Sequence, residues 1–177
     1  SNLQLIGMRW DGVSVPPGAT IVNAYIRFTM EDGKNHDGPI DVLIRGQKKD
    51  SGGGFTTATG NISKRLKTAA EGGYGEGGTD AAVRWQTSTY YAGNQKFVTP
   101  DISSVIQEIV DHPDWGGAGS GAEDDVLLIL YETPASEGGT QPTGRYETDS
   151  SDVNSGEPEL YIQYYTGPPP SVERSLT

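Results

Sequence analysis

Gly7-Met8-Arg9-Trp10-Asp11-Gly12-Val13-Ser14-Val15-Pro16-Pro17-Gly18-Ala19-Thr20-Ile21-Val22-Asn23-Ala24-Tyr25-Ile26-Arg27-Phe28 reads as strand, tight turn, strand. From Ile21 to Met30 the residues alternate. Ala24, Ile26, Phe28 and Met30 fall on one side, and Tyr25, Arg27 and Thr29 on the other, which is the period of a half-buried strand and not of a helix. Pro16 and Pro17 have no N–H to give to a ladder, and Gly18 accepts positive φ, so the chain must turn between Val15 and Ala19. A hairpin or a corner between two sheets is expected there.

Working outward, residues 2–10 and 19–30 form the first two strands, and a third covers Asp41–Arg45 with Ile40, Val42 and Ile44 in phase. Phe55 and the Thr-rich stretch after it suggest a short edge strand, and 72–78 reads as a surface loop. Val83 and Trp85 mark another strand within 82–86. Ile102, Val105, Ile106, Ile109 and Val110 recur at helical spacing and predict one short amphipathic helix at about 101–112. Thr99 or Asp101 can cap it, and Pro113 stops it. Val126 to Tyr131 is a continuous apolar run of strand length, expected as a central strand covered on both faces. Leu160, Ile162 and Tyr164 alternate with Tyr161, Gln163 and Tyr165 in a last strand. A Pro-rich tail over 167–177 follows the single domain of 1–166.

A chain of 177 residues supports one sizeable core, burying roughly 70% of its unfolded surface. Its 25 glycines and 11 prolines, with a single helical pattern, point to many short strands joined by turns, so the expected class is an all-β jelly-roll sandwich. A net charge of −11 argues against a nucleic-acid binder, which needs clustered Lys and Arg to release counterions. The absence of cysteine excludes a disulfide framework and a thiolate metal site. No apolar stretch approaches the ~20 residues of a membrane-spanning helix.

The Gly7–Ile21 segment, Ile44-Arg45-Gly46, Asp101–Val110 with Trp115, Gly144-Arg145-Tyr146 and Pro158–Ile162 together resemble DNRLRE or disaggregatase-related repeat domains, close to carbohydrate-binding module family 96. The resemblance implies a jelly-roll sandwich, a secreted or cell-surface location and association with polysaccharide. In that family an acidic segment and a first strand usually precede the Ser1–Leu5 equivalent. A sandwich short of one strand would offer open edges to strand addition, with the 167–177 tail as an inter-subunit arm in a homo-oligomer or filament.

Catalysis finds little support. His36 and His112 fit no metal spacing or nucleophilic triad and read as surface residues, and Gly119-Ser120-Gly121 lacks the glycine and the feeding strand of a nucleophile elbow. Calcium, which takes oxygen ligands from flexible loops, is the expected cofactor. Its candidate ligands are Glu31, Asp32 and Asp37, with Asn35, and then Glu147, Asp149, Asp152 and Asn154, with Glu157. Sugar recognition calls for exposed rings flanked by hydrogen-bonding side chains, which nominates Tyr74, Tyr90 and Tyr91 with Arg27 and Arg45. Arg27 or Arg45 is otherwise a cross-strand partner for Asp41. Trp10, Trp85 and Trp115 are expected in the core, and Asn61-Ile62-Ser63 has the form of a glycosylation sequon.

Overall fold

The computed structural model of the chain describes residues 5–33, 38–48, 54–116, 124–134, 138–139, 144, 146–149 and 156–167. Two antiparallel sheets face each other. Sheet A has the order β1-β6-β3-β4, from Leu5–Trp10, Val126–Glu132, Ile40–Gly46 and Val83–Thr87. Sheet B has the order β5-β2-β7, from Lys96–Val98, Thr20–Thr29 and Glu159–Tyr165. The class is the all-β sandwich that the alternation predicts.

Val15 to Ala19 is the corner between the sheets. The strand before it enters sheet A and the strand after it enters sheet B. Gly18 sits at φ 73°, and the Ala19 amide donates to the Pro16 carbonyl at 3.2 Å, which closes the turn. Beyond it, Ala24, Ile26, Phe28 and Met30 are buried as a row, and the in-phase residues Ile40 and Ile44 of β3 and Val126, Leu128 and Leu130 of β6 meet them across the interior. Each such side chain contributes roughly 1.5–3 kcal/mol by leaving water.

β6 is central, between β1 and β3, and is buried on both faces. Leu127 and Ile129 point away from the main core, as does Gly7 of β1, opposite Ile129. The segment after residue 54 covers that outer face. It forms turns and a short 3-10 stretch at Ala69–Glu71 in place of the edge strand expected after Phe55. The Phe55 ring lies where a Cβ on Gly7 would sit, 2.5 Å from its nearest ring carbon, so the glycine makes room for this cover. Gly77 and Gly78 are buried beneath it, so 72–78 is only in part the surface loop the sequence suggests.

The helix α1, Ser103–Val110, closes one side of the sandwich with Val105, Ile106, Ile109 and Val110 buried. It is shorter than the 101–112 expected. Asp101 caps from outside the helix: its Oδ1 accepts from the amides of Ser103 at 2.9 Å and Ala24 at 3.1 Å, tying the helix start to β2. Thr99 serves β2 instead, accepting from the Ile26 amide at 3.0 Å. Gln107 makes the second tie. Its Oε1 accepts from the Ile21 amide at 2.7 Å, and its Nε2 donates to the Ala19 carbonyl at 3.0 Å. These two backbone groups lie beside the β-bulge at Val22, where the β2–β7 register shifts and the ladder is interrupted.

Two outcomes follow from these ties. Gln107→Ala strands the Ile21 amide and the Ala19 carbonyl, so it should cost about 2 kcal/mol, seen by calorimetry as a fall in Tm of roughly 4–8 °C. The second concerns acid. Burial pushes the carboxyls of Asp101 and Glu108 up, but hydrogen bonds outweigh it. Asp101 receives the Ala24 and Ser103 amides, and Glu108 receives the Ala81 and Asp80 amides with Lys48 beside it, so both stay below their ordinary values of 3.8 and 4.5. The unfolded chain therefore takes up these protons first as pH falls. The stabilisation is complete above about pH 4.5 and is lost as pH drops through the folded values. Urea midpoints should fall between pH 6 and pH 3, and by less in Glu108→Gln.

Candidate functional site

The end of β6 turns a half-buried carboxylate toward the interior. Val126, Leu128 and Leu130 face the core, and Glu132 continues their phase two residues on, paired with Val42 of β3. Val42 in turn pairs with Trp85 of β4. On the opposite side β7 begins only at Glu159, opposite Arg27, so the end of β2 at Phe28–Met30 lies beyond its reach, and Thr148 bridges Met30 there instead. The interior is less densely filled at this end.

A cavity of about 120 Å³ lies there, between Phe28 and Phe97 of sheet B, Trp85, Val42 and Leu130 of sheet A, and Tyr146 from the segment before β7. Ile6 on β1 borders it while 54% exposed, which marks the solvent side. The rings are mutually packed: Phe28 stacks on Trp85 with centroids 6.0 Å apart, and Tyr146 meets Trp85 at 6.2 Å and Phe97 at 5.6 Å. The Tyr146 hydroxyl donates to the Thr89 carbonyl at 2.9 Å, and burial holds its phenol above the usual range. Glu132 borders the same space. Its Oε2 is buried and accepts no hydrogen bond, and among the described residues its carboxylate joins no ion pair. Buried carboxylate oxygens ordinarily have donors, and among the buried side-chain atoms without a hydrogen bond in the described residues, Arg9 Nε, Arg65 Nε and Glu132 Oε2, this is the one acceptor.

The residues nominated for sugar binding are dispersed. Arg27 lies on the outer face of sheet B, paired with Glu159 at 2.7 Å and placed 4.5 Å over the Tyr161 ring, which stacks on Tyr25 at 5.0 Å. Glu159 is held below the usual carboxylate range, first by its hydrogen bond from Arg27. The Tyr161 ring is thus engaged by two neighbours from β2. Arg45 donates to the Thr79 carbonyl from Nε at 2.8 Å and also from Nη2. Neither arginine serves Asp41. That buried carboxylate is gripped by Arg84 of β4, at 2.8 Å and 2.6 Å, and accepts from the Thr133 hydroxyl at 2.8 Å. Tyr74 lies in the cover over sheet A, 5.8 Å from the Arg65 guanidinium, which is fully buried and also stacks on Phe55. Tyr91 is half-buried with one face on Phe97 at 4.4 Å, so it belongs to the aromatic cluster behind the cavity. Tyr90 is 57% exposed.

The two acidic segments, separate in sequence, meet. The Glu31 amide donates to the Glu147 carbonyl and the Asp149 amide to the Thr29 carbonyl, both at 3.0 Å, while Asp32 accepts from Asn94 at 2.7 Å. Among the described residues no group of three or more acidic, His or Cys side chains is arranged to hold a metal ion. Asp37, Asp152 and Asn154 lie outside the described residues, as do Asn35 and His36. His112 is not a free surface residue: its Nε2 lies 3.0 Å from Glu76 and its Nδ1 accepts from the Asp114 amide, which fixes the proton of the neutral ring on Nε2. Asn61 is 6% exposed, with its side-chain oxygen facing Thr56 and Arg65, so burial removes the sequon as a glycan site in the folded chain.

Trp85 and Trp115 are core residues as expected, with the Trp115 indole donating to the Val15 carbonyl at 2.8 Å. Glu132 was the residue to find. Reading the apolar run as ending at Tyr131 hides it, whereas extending the 126-128-130 phase by one step shows a carboxylate at an inward position. Compared with known proteins, the chain matches no family model, no curated protein and no solved structure.

Proposed function

We propose that this chain is a non-catalytic, extracellular module that binds polysaccharide, and that it takes the end of a sugar chain at the Glu132 cavity. One observation carries the reading: an inward carboxylate oxygen without a donor sits beside packed aromatic rings in a cavity that reaches solvent at Ile6. A pyranose has the matching two-sided chemistry, with apolar C–H faces for the rings and hydroxyl donors for the carboxylate. Size excludes a whole oligosaccharide and, because a pyranose is larger than benzene, leaves most of the end sugar in the open mouth with one substituent reaching inward. A cavity of about 150 Å³ admits benzene, and this one is about 120 Å³. The resemblance of the Gly7–Ile21 and Asp101–Val110 segments to carbohydrate-binding modules supports the same class.

A glycan array followed by calorimetry on the monomer tests the reading. Ile6→Trp narrows the mouth at an exposed position, and the expected result is an affinity at least about tenfold lower with Tm unchanged. No glycan held above background, or a glycan held equally well by Ile6→Trp, contradicts it.

A further inference from the structure

We infer that the cavity selects a sugar end group bearing a free ammonium, as on a 2-amino-2-deoxy hexose, over its N-acetylated and neutral counterparts; this rests on the carbohydrate-binding reading above. Three features converge on a cation. The first is the Glu132 carboxylate, which forms no ion pair among the described residues and has one buried oxygen without a donor. A neutral hydroxyl can satisfy that oxygen, but an ammonium supplies both the donor and the opposite charge, and such charge-assisted bonds are the stronger kind. The second is the wall. Trp85, Phe28, Phe97 and Tyr146 line the space, and although Phe28 stacks on Trp85 and Phe97, any ring face the cluster leaves open to the cavity attracts a cation. The third is the whole molecule: a net charge of −11 draws a polycationic chain toward the surface and repels an anionic one.

Among the described residues, the arginines of the neighbouring strands are engaged elsewhere. Arg84 of β4 alternates with Trp85, points to the outer face of sheet A and binds Asp41. Arg27 points to the outer face of sheet B and binds Glu159. An N-acetyl group would remove the charge and bring added bulk into a cavity of about 120 Å³. A plain hexose would leave the carboxylate without a countercharge.

Calorimetric titration of the full chain with oligomers of glucosamine, of N-acetylglucosamine and of glucose, at two salt concentrations, tests the inference. The expected result is that the free-amine oligomer binds at least about tenfold more tightly than the other two, and that Glu132→Gln loses that preference by on the order of ten- to a hundredfold. Ile6→Lys, a change at an exposed position that places a like charge at the mouth, should weaken the free-amine oligomer more than the glucose oligomer. It keeps the inference testable should Glu132→Gln fail to fold. Equal binding of all three oligomers overturns the ammonium preference and leaves the carbohydrate reading standing. A preference that survives Glu132→Gln and disappears with salt also overturns it, since surface charge then accounts for the binding. Failure of every oligosaccharide to bind overturns the carbohydrate reading, and this inference with it.

Discussion

Burial of the inner face of β2 is the constraint on which the rest of the structure depends. Ala24, Ile26, Phe28 and Met30 must be covered along the whole strand, and no single neighbour does it. Sheet A covers the row from across the sandwich, and α1 closes the side with its own buried stripe. The corner at Pro16-Pro17-Gly18 makes this geometry reachable, because it moves the chain from one sheet to the other within a few residues. Helix and strand are then joined by polar ties, Asp101 to Ala24 and Gln107 to Ile21 and Ala19, at points where the ladder leaves amides without strand partners. The hydrophobic burial supplies the magnitude, and these side-chain bonds supply the register.

The same arrangement explains why the cavity lies where it does. β7 covers β2 only from Thr20 to Arg27, and the remaining turn of pleat, Phe28 to Met30, is served by short β5 and by the bridge to Thr148. Large rings fill most of that end, but rings pack at fixed distances and angles and leave residual space. Into this space β6 directs Glu132. The other buried carboxylate and the buried guanidinium both have partners, although Arg65 keeps one nitrogen, Nε, without a hydrogen bond. Asp41 is held by Arg84 and Thr133, and Arg65 lies between Phe55 and Tyr74 with Gln47 and Gly54 accepting its protons. Glu132 differs in joining no ion pair among the described residues and in bordering a cavity.

Much of the fold was legible because its strands carry simple periods. β2, β3 and β7 alternate, β6 is a continuous apolar run because both its faces are covered, and α1 shows the helical repeat. What was not legible lies where burial depends on other segments. The Gly- and Thr-rich stretch after residue 54 reads as loose surface. It nevertheless buries Arg65, Asn61 and Gly78, through contacts with distant strands that no local period encodes. β5 is three residues long, too short for any alternation to register. The same dependence on other segments holds for the ring-bearing loops: Tyr90 is exposed as expected, but Tyr91 and Tyr74 pack against other segments, and the in-phase Glu132 stands at the end of an apolar strand. The acidic segments at 31–32 and 147–149 came together only through the Met30–Thr148 bridge.

The central claim is that ligand enters the sandwich beside Glu132 and does not spread across an outer sheet face. Methyl NMR of the full chain during titration with a glucosamine oligomer tests it most directly, since Ile6, Ile40, Val42 and Leu130 border the cavity and the exposed Val98 and Val22 lie on sheet B away from it. Saturable shifts confined to the first group are the expected result. Shifts concentrated at Val98 and Val22, or none at Ile6 and Val42 while binding is saturated, would contradict it.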